Sequence, residues 1–197
     1  LANSDVVERL NQEAARAPGR SVDRSVLRFP PLHQPNAAFR NMGGLRFEDT
    51  AEAWGFDQVG VSNGMALGDL DGDGDLDVVI NPLNGPALLL ENRGSAPRVA
   101  VQLRGRGGNT RGIGARITLH GGAVPTQSQE MIAGGRYLSG DQPMRVFAAG
   151  QSAGAMRLEV RWRSGARSVV EDVQVNHLYE IQKPAPVGVS SSTTSSQ

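Results

Sequence analysis

The sequence has no cysteine. Disulfides, thiolate zinc sites and cysteine nucleophiles are therefore excluded, although this absence does not fix the compartment. Nineteen of the twenty basic residues are arginine, and Lys183 is the single lysine. Aromatic residues make up only 5% of the chain, and none flanks the arginine-rich stretch to offer bases a stacking platform, so nucleic acid is not an expected partner. No apolar run approaches the ~20 residues of a bilayer-spanning helix, so no transmembrane segment is expected; peripheral association through a partner stays open. His33, His120 and His177 lie far apart, in no metal or triad spacing. No G-x-S-x-G elbow occurs. "GRGGNTRGIGA" lacks the Lys-Ser/Thr of a phosphate loop and reads as a turn between strands. With no positive sign of catalysis, the chain is expected not to be an enzyme.

Turn-forming residues are abundant, with 25 glycines and 11 prolines in 197 residues. That length suits one large or two small domains. The chain opens on Leu1, which reads as a processed or trimmed start whose signal peptide would already be gone. Formal net charge is zero, but the signs are segregated. Between Asn41 and Asn92 ten acidic residues face Arg46 alone; between Arg93 and Arg167 twelve arginines face Glu130, Asp141 and Glu159. Two such segments read as modules that attract each other or take separate partners, or as two solvated surfaces.

Ser4 followed by Val6, Val7, Leu10 and Ala14 predicts a short N-terminal helix, ended by Pro18-Gly19. Residues 20–38 are irregular, so 1–38 form a lead-in. From Phe39 the texture becomes β: short apolar runs punctuated by Gly, Asn, Asp and Pro. Strands are predicted at Leu45–Asp49, Gly64–Leu67, Leu76–Asn81 and Ala87–Glu91. A turn at Asn92–Pro97 separates these from a second series. That series runs over Val99–Leu103, Ala115–Leu119, Thr126–Met131, Met144–Ala148, Met156–Trp162, Ser168–Val173 and Leu178–Ile181. Alternation such as "RLEVRW" predicts sheets with one buried face. The expected fold is all-β: a blade-like unit at 39–94, then a β-sandwich at 95–183. Trp54 and Trp162 are expected to pack in the core or between sheets. The Ser/Thr-rich 184–197 reads as a tail.

"GDLDGDGDLD" places Asp69, Asp71, Asp73, Asp75 and Asp77 at every second position. Such crowding of like charge needs a cation or full solvation. Counting from Asp69, carboxylates fall at the first, third and fifth positions, and Gly74 at the sixth, as a calcium loop requires. The twelfth residue is Ile80 rather than Glu, and the flanks "GMAL" and "LDVVI" are strand-like, so this is not an EF-hand. Asp77, at the ninth position, can close the shell. The expected calcium ligands are side-chain oxygens of Asp69, Asp71, Asp73 and Asp77, the carbonyl oxygen of Asp75, and water. Oxygen-only ligands select calcium over zinc or copper. An acid/base carboxylate pair explains five evenly spaced aspartates less well.

These stretches resemble a known arrangement. "FRNMGGLRFEDTAEAWGF" and "SNGMALGDLDGDGDLDVVINPLNGPALLLENRG" are similar to an FG-GAP/VCBS repeat, the calcium-bearing blade of integrin-like β-propellers. "VAVQLRGRGGNTRGIGARITLHGG", "GGRYLSG" and "LEVRWRSGARSVVEDVQVNHLYEI" resemble the ASPIC/UnbV domain that follows such repeats in secreted proteins. Together they cover residues 36–182. Three departures fall at turn and packing positions: Phe147-Ala148-Ala149-Gly150 for F-G-L-G, Trp162-Arg163-Ser164-Gly165 for W-P-S-G, and Asn176-His177 for N-Q.

A closed propeller needs ~4–8 blades, and one blade alone exposes two unpaired edges. Two functional expectations follow. The first is a non-catalytic, calcium-stabilised module, secreted or periplasmic, that binds protein or carbohydrate. The second is a structural subunit of a larger, membrane-associated complex whose other chains cover the blade edges. Arg104, Arg106, Arg111 and Arg116 either bind an acidic ligand by bidentate contacts or are solvated and paired with the acidic blade.

Overall fold

The computed structural model describes residues 33–151 and 154–185, together with Glu8, Asn11, Gln12 and Ala15, which are helical. The rest of the expected N-terminal helix, and residues 186–197 of the expected tail, lie outside the described residues. Among the described residues nearly all regular structure is β, in several small sheets, none closed into a barrel. The chain divides into two compact units between Val61 and Ser62.

In the first unit, β1 (Gln34–Pro35) pairs antiparallel with β4 (Val59–Gly60). A hairpin joins β2 (Phe39–Gly43) to β3 (Arg46–Asp49). Leu45, expected to open a strand, instead forms the turn with Gly44. Both residues have positive φ, 57° at Gly44 and 61° at Leu45, the backbone of a type I′ turn whose twist matches a hairpin. Trp54, expected in a core, is 59% exposed. The physical reason is shortage of cover: Ala51 is the only buried apolar residue described in this unit.

The second unit opens with an antiparallel sheet of β5 (Ser62–Gly68), β6 (Asp77–Pro82) and β7 (Leu88–Leu90). The aspartate-rich segment is the loop between β5 and β6. Then follow β8 (Arg98–Arg104), β9 (Arg116–His120), β10 (Thr126–Glu130), β11 (Gly135–Arg136), β12 (Ser139–Gly140), β13 (Met144–Ala148), β14 (Met156–Arg161), β15 (Arg167–Val173) and β16 (His177–Gln182). β11 and β12 pair with each other, and the rest form a four-stranded antiparallel sheet, β10–β9–β14–β15, and a three-stranded sheet, β13–β8–β16, in which β8 and β16 run parallel.

One hydrophobic core joins these two sheets. Val99, Val101 and Leu103 of β8 and Phe147 of β13 share it with Ile117, Leu119, Leu158 and Val160 from the other sheet. Alternation decides which side chains enter: Met156, Leu158, Val160 and Trp162 are buried, whereas Arg157, Glu159 and Arg161 face out. Each large apolar side chain so buried contributes about 1.5–3 kcal/mol. Trp162 buries its ring and satisfies its N–H by donating to Ser168 Oγ at 2.9 Å. Arg145, also buried, donates its Nε to the carbonyl of Glu130 at 2.9 Å, tying one sheet to the edge strand of the other. Burial holds its pKa below the usual arginine value, opposed by the charge of Asp141.

Ala100 of β8 lies on the opposite face of its sheet and is buried too. There the aspartate loop comes close: a Cβ on Gly74 would touch Ala100 at 4.0 Å. The residues just before β13 hold the end of β5. Gln142 N–H donates to the Leu67 carbonyl at 2.8 Å, Leu67 N–H to Asp141 Oδ1 at 2.9 Å, and Asp69 N–H to Gln142 Oε1 at 2.6 Å. The loop is therefore seated on the sandwich.

Candidate metal centre

The loop folds around its own carboxylates. Gly72 and Gly74 adopt φ of 83° and 85°, a region glycine enters without steric cost. These turns swing successive backbone N–H groups inward. Asp69 Oδ1 accepts from Gly72 N–H at 2.8 Å, and its Oδ2 from Gly74 at 3.1 Å. Asp71 Oδ1 accepts from Asp73 N–H at 3.2 Å, and Asp73 Oδ1 from Asp75 at 2.9 Å. Such Asx turns let aspartate shape a loop. Asp77, fully buried, accepts from Leu70 N–H through Oδ2 and from Asn92 N–H through Oδ1, both at 2.8 Å. It ties the start of the loop to the chain after β7.

Asp69, Asp71 and Asp77 each place a carboxylate oxygen within 4.8 Å of the others. Two oxygens bound to one calcium at 2.3–2.6 Å are at most about 5 Å apart, so this trio fits a shared cation. The donor set is oxygen only, which suits a hard ion. The other two predicted residues stand apart from the trio. Asp73 Oδ2 pairs with Arg98 Nη2 at 2.8 Å. The Asp75 carboxylate is buried beside Arg98, whose Nη1 lies 3.1 Å from its Oδ2. That contact lacks hydrogen-bond alignment, and neither Asp75 oxygen has a hydrogen-bond partner. Burial pushes the Asp75 carboxyl up to about 6; Arg98 opposes the shift, and the charges of Asp73, Asp77 and Asp71 add to it. A seventh-position residue that serves a cation through its main-chain carbonyl leaves its side chain free for such a role.

Arg98 is the residue at this loop that spacing alone misses. It also donates to the carbonyls of Gly94 at 2.7 Å and Asp73 at 3.2 Å. Nothing local links it to the loop; the segregation of charge along the chain is its only sequence signal. Of the other arginines named from sequence, Arg104 pairs with Glu180 at 2.7 Å, and Arg106 donates to the Lys183 carbonyl at 2.9 Å. Arg111 and Arg116 are exposed. Among the described residues His33, His120 and His177 belong to no metal-binding group.

Residues 105–187 match the family model described as ASPIC and UnbV. The matched span begins immediately after β8 and includes β9 to β16. No curated protein matches the chain significantly.

Proposed function

We propose that this chain is a non-catalytic, calcium-stabilised interaction module of an extracytoplasmic protein. Within the FG-GAP/VCBS-like stretch 39–94, the loop between β5 and β6 carries the ion, and the domain that follows presents binding surface. The observation that carries the reading is the convergence of Asp69, Asp71 and Asp77 oxygens within 4.8 Å. The loop's inward N–H groups support it, since they orient the carboxylates before any ion arrives. The match to ASPIC and UnbV is consistent with an interaction module. When bound, calcium supplies positive charge that relieves carboxylate repulsion. Asp69, Asp71 and Asp77 hold it; Asp73 shares its charge with Arg98, and Asp75 offers its carbonyl. Extracellular sites of this kind have a Kd of about 0.1–1 mM. At millimolar calcium and the tight end of that range the ion contributes about 1.5 kcal/mol. Cytosolic calcium would leave such a site mostly empty, which favours an exported location.

The test is thermal unfolding in EDTA and in about 2 mM calcium, repeated on Asp69→Ala/Asp71→Ala. A calcium-dependent rise in midpoint that the double variant loses supports the reading. An unchanged wild-type midpoint rejects it.

A second reading, a structural subunit of a larger complex, is favoured by β7. It is an edge strand of its sheet with Leu89 69% exposed. An apolar open edge invites pairing with another chain. A stable calcium-loaded monomer on size exclusion favours the first reading; aggregation of the isolated chain favours the second.

A further inference from the structure

The sheet β10–β9–β14–β15 buries one face in the core and leaves the other open. Across the open face, strand register lines up a row of like charge. Arg116 stands opposite Arg161, and Arg161 opposite Arg167. Strands lie about 4.8 Å apart, so three arginine stems rise within about 10 Å. Directly opposed like charges destabilise a sheet pair. A fourth arginine, Arg163, lies at the same end, its aliphatic stem over Gly114, two residues before Arg116.

Local acids leave this charge largely unanswered. Glu159 is already shared between Arg157 at 3.3 Å and Arg167 at 3.5 Å. Glu130 stands opposite Arg116 in register. Among the described residues, however, no carboxylate forms an ion pair with Arg116, Arg161 or Arg163. Arg161, flanked by an arginine on either side, breaks the cross-strand rule with no ion pair of its own among the described residues, and such residues are where function is expected.

We infer that this arginine row is the docking site for an acidic peptide segment of a partner protein. The guanidinium fork matches a carboxylate in bidentate fashion. In an extended peptide, alternate side chains share a face at about 6.6–7 Å. Two successive same-face carboxylates therefore fall within reach of the row and its long side chains. The row is spread over three strands, so a single small anion would touch only part of it. No Phe, Tyr or Trp stands on the described open face to stack on a sugar or a base. The inference rests on the reading of the domain as an interaction module, whose partner class it names. It is independent of the calcium site.

Fluorescence anisotropy at low ionic strength tests it with a labelled peptide alternating aspartate and serine, its lysine–serine counterpart, and a sulfated polysaccharide as competitor. The aspartate peptide is expected to bind, the lysine peptide not, and added salt to weaken the complex. Arg116→Gln/Arg161→Gln should weaken binding about 5- to 10-fold, the sum of two exposed charge contacts. Arg104→Gln, on the other sheet and paired with Glu180, should leave affinity unchanged. Arg161→Glu alone, a single exposed change, gives an independent reading if the double variant melts early. The inference is overturned by absent peptide binding, by equal affinity in the double variant, by equal loss with Arg104→Gln, or by preference for the polysaccharide. Calcium-dependent melting of the same wild-type preparation reports separately on the calcium reading: its absence would remove that reading and leave the arginine result standing.

Discussion

Arg98 holds its Nη1 3.1 Å from Oδ2 of Asp75, joining the first residue of the sandwich's central strand β8 to a buried carboxylate of the aspartate loop. The same guanidinium takes Asp73 Oδ2 at 2.8 Å. The loop thus carries its own counter-cation, built into the neighbouring sheet. Removing that cation leaves a buried carboxylate without compensation, the costly way to break such a pair. Arg98→Ala is expected to lose about 2–4 kcal/mol in urea unfolding without calcium. Adding Asp75→Asn should restore much of that loss, because the two residues act as a unit. Strict additivity of the two changes would argue against the coupling.

Asp71 and Asp77 belong to the same trio but stand in different surroundings. Asp71 is exposed and accepts one loop N–H. Asp77 is fully buried and accepts two, from Leu70 and Asn92. Asp71→Ala should therefore abolish the calcium shift while changing the EDTA midpoint little. Asp77→Ala should lower stability in EDTA as well, by about 2–4 kcal/mol, because two backbone N–H groups lose a buried charged acceptor. Thermal melts of both variants, with and without calcium, check the split. Equal behaviour of the two in EDTA would show that Asp77 is only a ligand.

This split marks what local sequence can reveal. The convergence of Asp69, Asp71 and Asp77 was legible because the three lie within one short loop, whereas the side chains of Asp73 and Asp75 turn to Arg98. The alternation in "RLEVRW" was legible because burial follows the pleat, and Trp162 is where it was expected. Trp54 was not, because ring size argues for burial only where apolar neighbours pack on it, and among the described residues of its unit only Ala51 is buried. Leu45 became a turn residue because hairpin geometry outranked its strand preference. The parallel pairing of β8 with β16 and the reach of Arg98 to Asp73 and Asp75 depend on segments distant in sequence. No periodicity encodes them.

Asp141 provides a pH-dependent element at the seam between β5 and the sandwich. Burial pushes its carboxyl up, but this is outweighed by the Arg136 hydrogen bond, the Leu67 N–H, and the charges of Arg136 and Arg145; the net shift is downward. A carboxyl with a folded pKa below its unfolded value binds fewer protons when folded. Its stabilising contribution is complete above the unfolded value, near 4, and is lost as pH falls through the folded one. Wild type should therefore lose stability on acidification below about pH 4, and Asp141→Asn should flatten that part of the profile while lowering stability at neutral pH. Urea midpoints across the acid range check this. An acid limb unchanged in the variant would assign the loss to other carboxyls.

Gly112 tests how closely the core is closed beneath the glycine-rich turn that precedes β9. Its φ is 65°, and a Cβ there would lie 2.9 Å from Leu103 Cβ and 3.0 Å from Trp162 Cζ3. Side chain and backbone thus both object to substitution. Leu103 and Trp162 belong to the shared core, so relief would have to come from displacing β8 or the indole, whose N–H is bonded to Ser168. Gly112→Ala should cost about 2–4 kcal/mol, combining overpacking with left-handed strain. Gly107 has a similar φ of 63° but nothing within 4 Å of an added Cβ. Gly107→Ala should therefore cost only about 1–2 kcal/mol, from backbone strain alone. Denaturation of the two variants separates packing from conformation: equal losses would mean that the apparent closeness of Leu103 and Trp162 is absorbed by the core.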